Sequence, residues 1–429
     1  MTKVKGLRWV IISLIATVTV INYIDRNALA IMWPSIYKDL GLTDQEAKEN
    51  LKYILTFFMI GYAISQMVSG RIYDKIGTRR GFVMSIIIWS FSSAMHGFSA
   101  SMASFSALRA TLGFGEAGNW PGATKSNAEW FPIKERALAQ GIFNAGASIG
   151  AVISAPLIAY FYLTFGWRAT FPIIATFSLL WLIPWLIINK KLPKDHPWIT
   201  EEEREYILKG QQVPVSANAA PERVLGWSEL LRYKQSWSVI ASRFFLDPIW
   251  WMFINWLPFY LYETFQFDVK QIGYFAWVPY VGAAAGSFIG GWFSGFLMKR
   301  GWNVNRSRKM AIAIGNIICF PALVASAYAG SPLIAVLLMA VILFGYQFSM
   351  NNIQTLPSDF LTGKSVGSLA GMGGMSAALG VLVTMWFVPW LTTGGNWGPF
   401  FMMGALIVPL GVFALFMLAG DIKRIEIKS

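Results

Sequence analysis

Apolar stretches of roughly 20 residues follow one another almost from end to end of this chain, a pattern that soluble domains do not carry. Twelve windows can be counted, starting near residues 8, 51, 82, 101, 137, 170, 237, 272, 309, 331, 366 and 396. Backbone inside hydrocarbon must satisfy every N–H and C=O within its own segment, so each window is expected to be a membrane-spanning helix. Composition agrees, with 55% of the 429 residues hydrophobic and 13% charged, against about a quarter charged in a soluble domain. The one long polar segment, Lys190 to Lys234, holds an acidic run from Glu201 to Glu205 and then Val213 to Pro221. It reads as a short helix followed by a linker, and it divides the spans into six and six. The expected fold is therefore an all-α membrane protein with 12 transmembrane helices. Residues 1–189 would form one six-helix bundle, 190–235 a cytoplasmic linker, and 236–429 a second six-helix bundle.

Charge placement orients the chain. With both termini inside, the outer loops hold Lys38, Lys48, Lys52, Arg168 and Lys270, the spans keep Arg26, Arg109 and Arg243, and the rest of the 35 Lys and Arg fall in inner segments. That bias predicts a multi-pass protein of the cell (inner) membrane with cytoplasmic termini. It also accounts for the net charge of +13 without a nucleic-acid partner, since no basic face or aromatic stacking platform accompanies it. Lys3, Lys5 and Arg8 before an apolar run, with Ala28-Leu29-Ala30 behind it, imitate a signal peptide. The run is too long for one and is interrupted by Asp25 and Arg26, so a retained first helix is expected. The single cysteine, Cys319, excludes an internal disulfide. His96 and His196 read as separate loop residues, so neither a metal site nor a cofactor is expected. Trp9, Trp33 and Trp130, near span ends, are expected to anchor the chain at the membrane interface.

The acids tell more than the bases. Asp25, Glu116 and Asp247 lie within spans, matching the three intramembrane arginines in number. At about 2.5 to 3.5 kcal/mol per central charge, six unpaired groups would cost roughly 15 to 20 kcal/mol, so they must pair or line a polar cavity. Structural pairing is the plain alternative; coupling is favoured because an acid that can neutralise in a low-dielectric cavity is a natural proton carrier. Arg109 and Glu116 are two turns apart, on one face of the fourth span and about 10 Å apart along its axis. At 1.5 Å per residue, Asp25 and Arg26 lie level with Arg109, which allows an Asp25 to Arg109 pair. Arg243 and Asp247 stand at i and i+4 in the seventh span, where an intrahelical ion pair is expected.

The segment Gly70-Arg71-Ile72-Tyr73-Asp74-Lys75-Ile76-Gly77-Thr78-Arg79-Arg80 resembles the signature loop of the major facilitator superfamily, with Thr78 where a basic residue is usual. That resemblance implies two six-helix bundles and a gate formed by Asp74, Arg79, Arg80 and Arg136. A second resemblance is to the anion:cation symporter family, which includes hexuronate, galactonate and glucarate transporters and vesicular glutamate transporters. It rests on Asn22-Tyr23-Ile24-Asp25-Arg26, on Arg109 to Ala117 with Gly113, Gly115 and Glu116, and on Glu129-Trp130-Phe131-Pro132-Ile133-Lys134-Glu135-Arg136. The hexuronate branch is the most similar, through Lys5 to Trp9, Arg243-Phe244 with Asp247-Pro248, and Gly374-Met375-Ser376-Ala377. The resemblance implies that Arg26, Tyr62 and Arg109 hold a substrate carboxylate and that Asp25 and Glu116 carry protons. Where the galactonate branch has a substrate-contacting Gln in span five, this chain has Ala147, with Asn144 one turn earlier, which moves the expectation towards uronates.

An arginine fork suits a carboxylate independently of any family. Further substrate-binding candidates are Tyr23, Asn144, Trp250, Trp251, Asn255, Gln347, Asn351, Asn352 and Ser376, each of which could equally serve helix packing. No nucleophile, His or metal constellation of an enzyme is visible, and a channel would need no coupled acids. The expected function is proton-coupled import of a sugar-acid anion, a hexuronate, by a monomer in the lipid bilayer. The alternative is symport of another carboxylate such as galactonate, glucarate or an aromatic acid, or coupling to sodium.

Overall fold

A computed structural model of the chain describes residues 3–211, 223–267, 275, 277–361 and 364–425. They are helical almost throughout: α1 (Leu7–Asp39), α2 (Asp44–His96), α3 (Met102–Glu116), α4 (Asn119–Trp130), α5 (Arg136–Ile188), α6 (Glu201–Gln211), α7 (Trp227–Leu230), α8 (Lys234–Phe265), α9 (Val278–Lys299), α10 (Val304–Ser326), α11 (Pro332–Phe360), α12 (Val366–Leu391) and α13 (Gly398–Ala419). Helices α2 and α5 have 53 residues each, about 80 Å if straight, which is far more than a bilayer core of about 30 Å needs. Each is broken at one glycine, Gly77 with φ 81° and Gly166 with φ 75°. A residue with a Cβ avoids that left-handed conformation, so the two glycines mark where one span gives way to the next. Ala117 and Gly118, between α3 and α4, keep right-handed helical angles, so these helices form one bent span. With α2 and α5 counted twice, the described residues make twelve spans.

In the first half α1 packs on α5 and α2 on α3; in the second α11 packs on α9 and α10, and α8 on α12 and α13. The halves meet along two main seams, α2 with α12 and α5 with α9. Near one end of these seams lie the Lys- and Arg-bearing connections, here called the basic end. Gly70 and Gly367 touch there so closely that a Cβ on Gly70 would stand 2.1 Å from the Gly367 carbonyl oxygen.

The segment after α5 folds back under the first half. Glu203 of α6 accepts hydrogen bonds from the backbone N–H groups of Gly6, Leu7 and Arg8 at 2.7, 3.0 and 3.2 Å. It thereby caps α1, whose own N-cap, Gly6, offers no side chain. Arg8 closes the arrangement by pairing with both Glu203 and Glu135 at 2.8 Å.

Several expectations need correction. Helix α2 starts at Asp44, not near 51, because a Thr43–Glu46 capping box begins it in polar sequence. Helix α10 starts at Val304, not near 309, since Asn303 caps a basic first turn that hydropathy reads as loop. Trp33 and Trp130 are buried and pack inside the protein, so neither is an interfacial anchor. Trp9 is half-buried and packs edge-on against Phe131. His96 is the last residue of α2, buried against Phe171 and Phe105, and His196 is buried as well. The run Val213 to Pro221, Lys270 and the expected start near 272 lie outside the described residues.

Candidate functional site

Charged residues within the first half converge from two spans, the first and the fourth. Arg26 comes from the middle of α1, and both its Nε (3.0 Å) and Nη2 (2.8 Å) donate to one oxygen, Oε2, of Glu116 at the end of α3. The Asn22 side-chain oxygen, one turn earlier in α1, accepts a further bond from Nη2 at 3.3 Å. Aromatic rings enclose the guanidinium: Tyr23, Phe58, Tyr62, Trp120 and Trp251 stand 5.1 to 5.6 Å from it. A delocalised cation tolerates that shell through the ring faces. Glu116 is fully buried, and its second oxygen, Oε1, has no hydrogen-bond partner.

Asp25 and Arg109 are not an ion pair. Asp25, buried, accepts from the hydroxyls of Ser93 at 2.6 Å and Ser178 at 3.2 Å. Arg109 is 2% exposed, with Nε and Nη2 lacking hydrogen-bond partners. The depth of the two residues is compatible with a pair, but consecutive residues of a helix point about 100° apart. It is Arg26, one residue on, that faces the fourth span.

A cavity of about 50 Å³ lies between the halves, enough for a few waters. Tyr23, Tyr62, Gln66, Trp120 and Asn144 line it from the first half, and Arg243, Asp247, Trp250, Trp251, Tyr346, Gln347 and Gln354 from the second. Asn144 Nδ2 donates across the seam to Asn351 and Gln354, both at 2.7 Å, and Gln140 adds a bond to Gln354 at 2.8 Å. Trp250 donates to the Tyr23 hydroxyl at 3.2 Å. Arg243 and Asp247 form a bidentate i,i+4 pair at 2.9 and 3.0 Å.

Other candidates lie elsewhere. Asn351 also donates to the Ser287 carbonyl, Asn352 is bound to Arg308 and to the Gly290 and Phe348 carbonyls, and Ser376 donates to Ile240. Asn255 only approaches the Met385 sulfur, at 3.9 Å. None of these four lines the cavity, so their described contacts are those of helix packing.

At the basic end Asp74 reaches across the seam and accepts from the backbone N–H groups of Gly367 (3.0 Å) and Ser368 (2.6 Å). It acts as an N-cap for α12, because the Ser365 hydroxyl is turned to the residues before α7, accepting from Leu225 and donating to Arg223. Lys125 balances Asp74 at 3.1 Å and Glu129 at 3.5 Å. Thr78, the departure from the usual basic residue, donates to Glu129 at 2.7 Å. Arg136 donates to the Ser358 carbonyl at 2.6 Å, and Arg308, paired with Asp359 at 2.8 Å, donates to the Ile133 carbonyl. The gate expectation changes accordingly. Asp74 and Arg136 bridge the halves, whereas Arg79 donates to Leu186 in its own half and Arg80 is exposed.

Sequence reasoning missed Gln354, Lys125, Arg308 and Asp359. Gln354 lies three residues after Asn351, which puts it near the same helix face. The charged three sit just beyond the apolar windows, where hydropathy assigns them to loops.

The sequence and the fold have known counterparts. Residues 15–376 match the model of the Major Facilitator Superfamily. A hexuronate transporter of Escherichia coli strain K12 is 31% identical over all of this chain and 97% of its own length. A galacturonate transporter of Dickeya chrysanthemi is 35% identical over 74% of this chain and 90% of its own. A "probable galactarate/D-glucarate transporter" of Escherichia coli strain K12 is 28% identical over 100% and 98%. Among solved structures, the proton:xylose symporter XylE superimposes with a TM-score of 0.71 at 14% identity over 96% of each chain. The human organic anion transporter MFSD10 does so at 0.68 and 15%, over 95% of this chain and 99% of its own. At such identities these two structures speak to the fold alone. The chain belongs to the major facilitator superfamily, as a multi-pass membrane transporter, not an enzyme, related to carriers of hexuronates and other sugar acids.

Proposed function

We propose that the protein is a proton-coupled symporter that imports a sugar-acid monoanion, a hexuronate such as galacturonate or glucuronate, by alternating access. One observation carries this reading: the buried Arg26–Glu116 contact leaves Glu116 Oε1 and Arg26 Nη1 without hydrogen bonds, directly behind the aromatic wall of the central cavity. A pair that spends only one carboxylate oxygen can be opened by a proton. Protonation of Glu116 removes the charge that holds Arg26, and the guanidinium can then take the carboxylate of an incoming acid in a bidentate fork. Asp25, held by two hydroxyls, is the second proton site, and Arg109, with free donors between the two acids, couples them electrostatically. Aromatic Tyr23, Trp250 and Trp251 offer faces to the sugar ring, while Asn144, Gln347 and Gln354 offer donors and acceptors to its hydroxyls.

The positive-inside pattern supports a basic end that faces the cytoplasm. The contacts of Asp74, Arg136 and Arg308 then seal the inner side, and transport requires them to part as the halves rock about the central site. Uptake of labelled galacturonate and glucuronate into proteoliposomes tests this. Accumulation above equilibrium that requires an inward proton gradient is the expected result. Absence of uptake for both acids, or accumulation driven equally well without a pH difference, contradicts it.

A further inference from the structure

The two arginines beside the central cavity are neutralised in different ways. Arg26 is held by a carboxylate from another helix through a single oxygen. Arg243 is held within its own helix through both oxygens of Asp247: Nε meets Oδ2 at 3.0 Å and Nη2 meets Oδ1 at 2.9 Å. That fork is the geometry a substrate carboxylate would adopt on the same guanidinium. Asp247 therefore occupies the carboxylate-binding edge of Arg243 with a carboxylate of the protein's own. Both residues line the cavity and both are buried, and Trp250 stacks on Tyr346 beside them at 6.2 Å with 20° between the rings. The i,i+4 spacing fixes the pair on one rigid helix, so rocking of the halves does not separate it.

We infer that Asp247 is a specificity-determining residue that sets the number of carboxylates the cavity accepts. With Arg243 held by Asp247, the second half offers the cavity no open cationic fork, and protonation of Glu116 releases the fork of Arg26 in the first half alone. A sugar acid with one carboxylate finds its counter-charge. An aldarate, with a carboxylate at each end, must bury its second charge beside Asp247, where the cation that lines the cavity, Arg243, is already taken. This inference rests on the transport reading above and adds the discrimination between aldonate- or uronate-type monoacids and diacids.

The test compares galactarate with its monomethyl ester, which keeps the carbon chain and removes one charge. Both are offered at pH 7 as competitors of labelled galacturonate uptake into proteoliposomes, and as ligands in thermal-shift titrations of the purified full chain. In the wild-type protein the ester is expected to compete at least about 10-fold better than the diacid. Asp247→Asn is expected to close or invert that ratio, because it frees the Arg243 fork, whereas Asp247→Asn combined with Arg243→Gln restores rejection of the diacid. Equal competition by diacid and ester in the wild-type protein overturns the inference, and so does a folded Asp247→Asn protein with an unchanged ratio. Should Asp247→Asn fail to fold, Asp247→Ser, which also frees the Arg243 fork, takes its place, and an unchanged ratio in that protein overturns the inference equally. Should the wild-type protein take up no uronate, the transport reading fails, while the thermal-shift comparison still decides this inference.

Discussion

Arg26 and Glu116 meet inside the membrane through one carboxylate oxygen: two guanidinium nitrogens converge on Oε2 at 2.8 and 3.0 Å and Oε1 is left without a hydrogen bond. A structural ion pair at full burial gains most by using both oxygens, since the desolvation of each charge has to be offset by bonds. The contact found here compensates the cation through Oε2 and leaves Oε1 unused. In the proposed cycle a proton on Glu116 lets the carboxylate of the substrate replace that of Glu116 on the same arginine.

Arg26→Lys separates charge from geometry. Lysine keeps the positive charge but loses the planar fork and most of the contact with the five surrounding rings. Uptake of galacturonate is expected to fall about 100-fold, equivalent to about 2.7 kcal/mol, with the protein still folded by size-exclusion chromatography. Uptake within a few-fold of wild type would show that Arg26 does not bind the carboxylate through its fork.

Asp74→Asn weakens the seal at the basic end. The amide keeps one acceptor for the Gly367 and Ser368 N–H groups but strands Lys125 without its nearest carboxylate. A cysteine placed at Gln354, which lines the cavity, reports opening, and the native Cys319 is buried and contributes little background. Labelling of Gln354→Cys from the basic side is expected to rise several-fold when Asp74→Asn is added; unchanged labelling would remove Asp74 from the gate.

Glu203→Ala removes the cap of α1 together with one of the two carboxylates on Arg8. Three backbone N–H groups lose their acceptor at once. A loss of about 2 kcal/mol is expected, read as a lower thermal unfolding midpoint. An unchanged midpoint would mean that the segment carrying α6 does not support the first half.

His196 lies in the connection after α5, where burial pushes its imidazole below the usual range and the Ile188 carbonyl pushes the other way. Nε2 donates to that carbonyl at 2.8 Å and Nδ1 accepts from the Trp198 N–H at 3.3 Å, an arrangement only the neutral ring can make. A histidine with a lowered pKa in the folded state contributes stability above its unfolded value of about 6.5 and loses it as pH falls through the window below. The unfolding midpoint is expected to drop between about pH 7 and pH 5.5, and to drop less in His196→Gln. Identical pH profiles for the two proteins would contradict the assignment.

Much of the site was legible because charges stand out in apolar sequence. Asp25, Arg26, Arg109, Glu116, Arg243 and Asp247 are visible for that reason, and the i,i+4 spacing of the last two gives their contact directly. Which acid meets which arginine was not legible, since depth along a helix says nothing of the direction in which a side chain points. Asp25 and Arg26 share a depth, yet one turns to the Ser93 and Ser178 hydroxyls and the other to Glu116. The second layer of buried charge, Lys125, Arg308 and Asp359, escaped because hydropathy windows close where polar residues begin. These three are buried by tertiary contact at the ends of spans, which periodicity cannot register. Thr78 shows the converse: an irregularity in a motif became intelligible once Glu129 was found opposite it.

The central claim is that protonation of Glu116 releases Arg26 to bind the substrate. Its most direct test is Glu116→Gln, a permanent mimic of the protonated acid, assayed in proteoliposomes both for galacturonate accumulation under an imposed pH gradient and for counterflow exchange without one. Exchange that persists at all pH values while accumulation falls at least about 10-fold is the predicted result. Accumulation at the wild-type level, still driven by the proton gradient, would contradict the account.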